Sequence, residues 1–252
     1  MIKFRLPLLT IIMACLAVGL SAQDKATPTP APTKASATDK GGSVSIEELY
    51  LSQEVEVQVL RSQVQSNSRE SKVLALQNLS AMVDDKRLGP ENRDMITLLE
   101  GLAGEGVFRV NRLENSVAND FPDVRWQAVE LLGRIGGKDA KAILMRVALA
   151  DKEPTVLAAA VYSMGQIATA DDKDLLPYIS KVMIANNGRL SPDNNLAYAC
   201  LLTIEKLVGK LKGVNDPDLI NALLDTTASG LYMREVRLKA VSVISKLRSA
   251  KN

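Results

Sequence analysis

The sequence predicts an all-α fold, a row of about four to five antiparallel helix pairs, and three observations predict it. The stretch "FPDVRWQAVELLGRIG" (121–136) and the stretch "EPTVLAAAVYSMGQIA" (153–168) carry Pro, Val, Ala-Val, Gly and Ile at matching offsets. From Ile46 almost to the end, apolar residues recur at helical spacing, and no segment has a firm strand pattern. Hydrophobic residues make up 46% of the 252 residues and aromatics only 4%, so the core is filled by Ala, Val, Leu and Ile, which suits close-packed helices.

The elements follow in chain order. Residues 1–22 open with Lys3 and Arg5, stay apolar from Leu6 to Leu20, and close on Ser21 and Ala22. This is the layout of a secretory signal peptide, with cleavage expected after Ala22. Its apolar run is short for a membrane span, so no transmembrane helix is expected in the mature form. The sequence "IMAC" leaves a minor alternative, a lipid anchor at Cys15, against which stands the apolar "LAVGL" that follows, and a retained, uncleaved anchor is the remaining one. Residues 23–45 hold "QDKATPTPAPTKASATDKGGS", rich in Pro, Thr, Ala and Lys and lacking any large apolar residue. Such a segment buries too little to offset its ordering entropy. It is expected to be a disordered tether, or else a glycosylated or wall-crossing stalk. Residues 46–252 are expected to form the helical body.

Within that body "EVEVQVL" (54–60) alternates like a strand, but Leu51, Val55 and Val59 share one helical face, and helix is the expectation. Pro122, Pro154 and Pro192 sit where helices would begin, since the first helical amide needs no partner. Ser191 is the candidate N-cap before Pro192, and Asp216–Pro217 marks a further start. After Pro122, Val124, Ala128, Leu132 and Ile135 form one apolar stripe, and Trp126, Val129 and Gly133 form another on the far side. A helix that is apolar on two sides packs on two sides. Trp126 is accordingly expected in the core. Gly133, with Gly165 and Ser245 as counterparts, marks where neighbouring backbones approach, because glycine inside a helix costs about 1 kcal/mol against alanine and needs an offset.

The frame returns as "EVRLKAVSVISKL" (235–247), weakly as "ESKVLALQNLSAM" (70–82), and with a one-residue slip after Pro192. Between these copies lie partner helices, including "PENRDMITLLEGL" and "KDAKAILMRVAL". The result is helix A, turn, helix B, repeated with a period from the low thirties to the high forties. At these residues the chain resembles the HEAT-repeat family, in the short bacterial form found in phycobilisome-lyase-type repeats. "DVRWQAVELLGRIG" fits the family pattern D-x-V-R-x-x-A-x-x-x-L-G-x-I, and Leu175-Leu176-Pro177 is similar to its proline-kinked first helix. The resemblance implies an armadillo-type α-solenoid that binds other proteins, while a minority of the family are chromophore lyases. It also implies a ladder between repeats built on the motif arginine, which Arg125 and Arg237 match and Leu157 replaces.

Stacked repeats of this kind present one long face of B helices. Helical phase places Gln127, Glu130 and Arg134 there, with Ala159, Tyr162 and Gln166 and then Lys239, Ser242 and Lys246 as counterparts. Two readings of that column stand side by side: a protein-binding ridge centred on Tyr162, and the solvated face that any helix needs. The insertion "GEGVFRVNRLENSVAND" (104–120) offers Phe108, Arg109 and Arg112 for recognition, or an extra helical turn that packs Val110, Leu113 and Val117 onto the core. Asp171, Asp172 and Asp174 are expected in the first turn of a helix, where negative charge is favoured.

The exclusions are strong. The chain has no histidine, which removes Ser-His-Asp and Cys-His catalysis and His-containing zinc sites. Only Cys200 remains beside Cys15, and it sits among apolar residues as a small buried hydrophobe. No catalytic residue, metal site or cofactor is expected. Taking Lys3 and Arg5 from the 31 basic residues leaves 29 against 29 acidic, which argues against a bulk grip on nucleic acid. The expectation is therefore a non-enzymatic scaffold or adaptor, exported to the periplasm or beyond the cell, with a protein partner. The alternatives are an enzyme or cofactor-handling, lyase-like protein on the same fold, and a lipid-anchored scaffold.

Overall fold

Residue patterning of this kind produces helices that pack in a row, and the computed structural model shows them. It describes residues 45–211 and 216–249. The signal peptide and all of the tether but Ser45 lie outside the described residues. The helices are α1 (Ile46–Gln65), α2 (Arg69–Asp84), α3 (Arg93–Ala103), α4 (Pro122–Ile135) and α5 (Gly137–Ala150). They continue as α6 (Pro154–Ile167), α7 (Leu175–Asn187), α8 (Asn194–Lys210), α9 (Pro217–Ala228) and α10 (Arg234–Ser249). The odd-numbered helices stack on one another in one layer and the even-numbered in a second, so the described body is an α-solenoid of five helical pairs.

Local chemistry sets the boundaries. Pro122, Pro154 and Pro217 stand at the first helical positions of α4, α6 and α9. Asp216 caps α9 by accepting from the amides of Asp218 and Leu219 at 3.0 and 3.2 Å. Ser191 and Pro192 do not start α8. Asp193 caps it, accepting from the Leu196 amide at 2.7 Å, because its carboxylate is a charged acceptor within reach of the open first turn. The joint between α4 and α5 is a single residue, Gly136, and both Gly136 (φ 74°) and Gly137 (φ 86°) lie in the left-handed region open to glycine. The segment 54–60 is helical, as expected. Its face of Leu51, Val55 and Val59 is exposed, however, because α1 packs through Leu60 and Val64, nearly half a turn round the axis.

The core runs the length of the body. Val124, Ala128 and Leu132 are fully buried and Ile135 nearly so, as the first stripe of α4 requires. Val129 is buried in the second stripe, but Trp126 is not: it is 42% exposed, contrary to its expected place in the core. The position itself lies on the outer side of the B helix, and its smaller counterpart Leu238 is exposed too, at 55%. Asp172 does not lie in the first turn of α7. It accepts from the Thr169 amide at 2.7 Å and pairs with Lys141, holding the loop before the helix. Burial works against its charge, but the Lys141 ammonium and the Thr169 donors prevail and hold its pKa below the usual value.

The insertion 104–120 is neither helical nor a lid on the core. Arg112–Leu113 pairs antiparallel with Ser116–Val117 as a minimal ribbon, β1 and β2. Val110 and Leu113 point to solvent, so the expected packing of those residues does not form. What anchors the segment is polar. Asn119, buried, donates to Glu105 Oε1 at 2.7 Å and to the Arg109 carbonyl at 2.6 Å, and accepts from the Asn111 amide at 2.8 Å. Such a network depends on the tertiary position of Glu105 and leaves no hydrophobic period in the chain.

Candidate functional site

The site begins with how the B helices approach. A Cβ added at Gly133 would lie 2.5 Å from Ser163 Cβ, and one added at Gly165 would lie 2.7 Å from Thr203 Oγ1. Ser163 donates its hydroxyl to the Val129 carbonyl at 3.3 Å, and Thr203 to the Val161 carbonyl at 2.9 Å. The same device thus joins α4 to α6 and α6 to α8: a small hydroxyl residue seated over a glycine, bonded to the carbonyl one turn before it. At the next joint Glu205 takes the place of the glycine. It spans to α10 by ion pairs with Lys239 and Lys246.

A second set of charges ties the turns together. Arg125, with its side chain only 4% exposed, holds Asp151 through Nε at 2.7 Å, Asp120 at 2.6 Å and the Glu105 carbonyl at 3.1 Å. Burial disfavours its charge, yet the Asp151 and Asp120 carboxylates outweigh that cost and keep its pKa above the usual arginine value. Lys72 does the same one repeat earlier, donating to Glu105 Oε2 at 3.1 Å and to the Val64 carbonyl at 2.7 Å. Lys72 was not legible as a ladder residue because the motif has arginine there and its partner lies far along the chain. Leu157, buried at the next equivalent position, ends the ladder. Arg237 stands at that position in α10, and its buried Nε has no partner among the described residues.

The Ser163 and Thr203 contacts also fix which residues of successive B helices are equivalent, with Tyr198 and Leu202 of α8 matching Ala158 and Tyr162 of α6. This places three aromatic rings along the B-helix surface: Trp126 on α4, Tyr162 on α6 and Tyr198 on α8, exposed at 42%, 45% and 39%. They border a groove of about 870 Å³ that crosses α4, α6, α8 and the start of α10. Ala158, Ala159 and Ala199 form its low floor, and Met233 closes the far end. Lys206 sits over the Tyr162 ring at 5.3 Å, which orients the phenol.

The expected ridge residues divide. Glu130 and Tyr162 line the groove. Gln127 donates back to the Asp123 carbonyl at 3.2 Å. Arg134 pairs with Asp84 and donates to Ser80 at 3.0 Å, and Lys239 and Lys246 are both engaged by Glu205. Gln166 is exposed beyond the groove. Three of the column's cations therefore bridge neighbouring B helices. Trp126, Tyr198 and Leu202, which the sequence reading did not select, are groove residues. The loop before α8 sets that helix forty residues from α6 rather than thirty-two, so its phase was unreadable by a fixed repeat; the shared hydroxyls Ser163 and Thr203 are the signal that recovers it.

In the insertion, Phe108 rests on Gly104 and Arg109 on Gly101, where an added Cβ would lie 2.6 Å from the Phe108 ring and 3.0 Å from an Arg109 nitrogen. Arg112 is exposed on the ribbon. The insertion and the groove are formed by different residues and share no lining side chain. Cys200 is buried, and burial pushes its thiol up to about 12. Among the described residues no group of three His, Cys, Asp or Glu side chains is placed to hold a metal ion. None of the described helices is long and apolar enough to cross a membrane.

Comparison with known proteins gives one family match over part of the chain and one distant structural similarity. Residues 110–179 match the family model described as HEAT repeats, the central region where the sequence resemblance is strongest. No curated protein matches the chain. Among solved structures the chain is similar to human deoxyhypusine hydroxylase, solved in complex with glycerol, at 16% identity and a TM-score of 0.41. That likeness covers 76% of this chain and 63% of the other, so the chain spans less than two thirds of the hydroxylase's length.

Proposed function

With HEAT repeats placed over residues 110–179, we propose that the protein is a non-enzymatic interaction scaffold or adaptor that holds a protein partner in the B-helix groove. The observation that carries this reading is the run of Trp126, Tyr162 and Tyr198 on three successive B helices, each about two-fifths exposed above an alanine floor. Large aromatic side chains held in place by a rigid scaffold are favoured anchors of protein interfaces. The sequence supports placing the scaffold in the cell envelope, exported through residues 1–22 and carried on the Pro/Thr/Ala/Lys-rich segment. Against the cofactor-handling alternative stand the absence of histidine and the burial of Cys200.

Capture from an envelope extract tests the reading. Wild-type protein and a Trp126→Ala/Tyr162→Ala variant are compared, with far-UV circular dichroism confirming equal folding. Loss of two interface anchors of this type reduces retention of a partner by about thirtyfold or more. Equal recovery of every partner by both proteins would show that the groove is not the binding surface. Intact-mass measurement of the natural product tests the export reading. A chain beginning at Gln23 supports it, a diacylated Cys15 replaces it with the anchored form, and an unprocessed Met1 overturns both.

A further inference from the structure

Resting on the groove as the partner site, we propose that its occupant is an extended, proline-bearing polypeptide segment with two cationic side chains about nine residues apart. Three features converge on that chemistry. The floor is low and apolar and is crossed by an indole and two phenol rings, the surface on which proline rings of a polyproline II segment stack. The charged groups lining the groove are Glu130 and Glu235, both exposed, with no cation among the lining residues and no ion pair to either among the described residues. The neighbouring cations Lys239 and Lys246 are neutralised by Glu205, and Lys206 is held over one face of the Tyr162 ring, so the open carboxylates Glu130 and Glu235 at the two ends are where a basic ligand is met.

Spacing supplies the third feature. Glu130 stands on α4 and Glu235 on α10, three B-helix joints away. Helices packed at about 8–10 Å, with an axial offset of about 10 Å because Glu235 stands seven helical positions before the place of Glu130, put the two carboxylates about 26–32 Å apart. A polyproline II segment rises about 3.1 Å per residue, so nine residues span about 28 Å. A segment of that form sets one cation on each carboxylate while its prolines lie over Trp126 and Tyr198 and pass the edge of Tyr162, whose face Lys206 covers. An α-helix covering the same distance needs about nineteen residues at 1.5 Å each and presents its prolines poorly, so the extended form is the one that fits.

The protein carries its own reporter. Trp126 is the chain's one tryptophan and lies in the groove. The probe is the synthetic peptide acetyl-KAPAPPAPAK-amide, titrated into the intact folded protein at low salt while Trp126 emission is followed. A blue shift that saturates is expected, with Glu130→Gln and Glu235→Gln each weakening binding about threefold to tenfold. The difference between wild type and either variant should shrink in 0.5 M salt as screening removes the ion pairs. A companion peptide with glutamate at both ends should bind at least tenfold more weakly, and one with both lysines at the same end should bind like the single-glutamine variants. Tighter or equal binding of the glutamate peptide would overturn the proposed charge while leaving the groove as a binding site. No emission change with any peptide up to 1 mM would overturn the proposed occupant. Loss of partner capture by the Trp126→Ala/Tyr162→Ala variant is a separate reading, so failure of this proposal and failure of the groove are told apart.

Discussion

Ser163 of α6 is seated directly over Gly133 of α4, and its hydroxyl donates to the Val129 carbonyl at 3.3 Å. The contact repeats between Thr203 and Gly165 at the next joint. The recurring glycine of the sequence frame is therefore a steric requirement of stacking and not a flexible point.

Gly165→Ala should destabilise the body. Its Cβ would lie 2.7 Å from Thr203 Oγ1 and 2.9 Å from Thr203 Cγ2, and overpacking of this kind costs about 1–3 kcal/mol. Gly165→Leu should cost more. Gly209→Ala on the adjacent helix meets nothing within 4 Å and should instead stabilise by about 0.5–1 kcal/mol through helix propensity. Urea denaturation of the three variants checks the contrast. Equal effects at Gly165 and Gly209 would show that close approach is not what selects glycine.

Arg125→Ala should cost about 3–5 kcal/mol, because it leaves Asp151 buried without its partner. Arg125→Met paired with Asp151→Leu should recover much of that loss, since an apolar pair avoids stranding a charge. Lys72→Ala should behave like Arg125→Ala on a smaller scale, with Glu105 the stranded carboxylate. Thermal unfolding of the single and double variants measures the coupling.

Glu205 gives a pH dependence with a defined sign. Hydrogen bonds from Lys239 and Lys246 hold its carboxyl below the usual glutamate value. A depressed acid contributes stability that is fully present above its unfolded value, about 4.5, and lost as pH falls through the lower folded value. The α8–α10 joint should accordingly weaken below about pH 4.5. Glu205→Gln should remove that part of the acid sensitivity, seen as a flatter plot of unfolding midpoint against pH. An unchanged plot would show that the pairs contribute nothing in solution.

The native Cys200 thiol should resist Ellman's reagent at pH 8, being buried with its pKa pushed up to about 12, and should react within seconds once the body is unfolded in guanidinium. Fast stoichiometric reaction in the folded protein would restore a nucleophilic role for it.

How much of this was legible depends on where each residue's role is decided. The prolines at 122, 154 and 217 and the apolar stripe of Val124, Ala128 and Leu132 act within a single helix, so periodicity and capping reveal them. Trp126 was misplaced because its position faces outward on the B helices, as the exposed Tyr198 and Leu238 show, and an apolar residue there has the same helical phase as a second buried stripe. Tyr198 was missed because the longer loop before α8 shifts the repeat length. The ribbon at 112–117 was missed because Asn119 and Glu105, not hydrophobic alternation, hold it. Arg134, Lys239 and Lys246 stand on B helices, but each pairs with a neighbouring helix, which only the stacked arrangement makes visible.

The groove is assembled from four separate helices, with no loop or single element spanning it. Its width is therefore set by three inter-helix angles at once, and a few degrees of rotation at each compound along the row. Whatever grips both α4 and α10 fixes the curvature of the intervening coil, so that a ligand acts on this protein as a clamp on a spring. Occupancy would then be felt at both ends of the body, and mechanical bending of the body would in turn change how firmly the ligand is held.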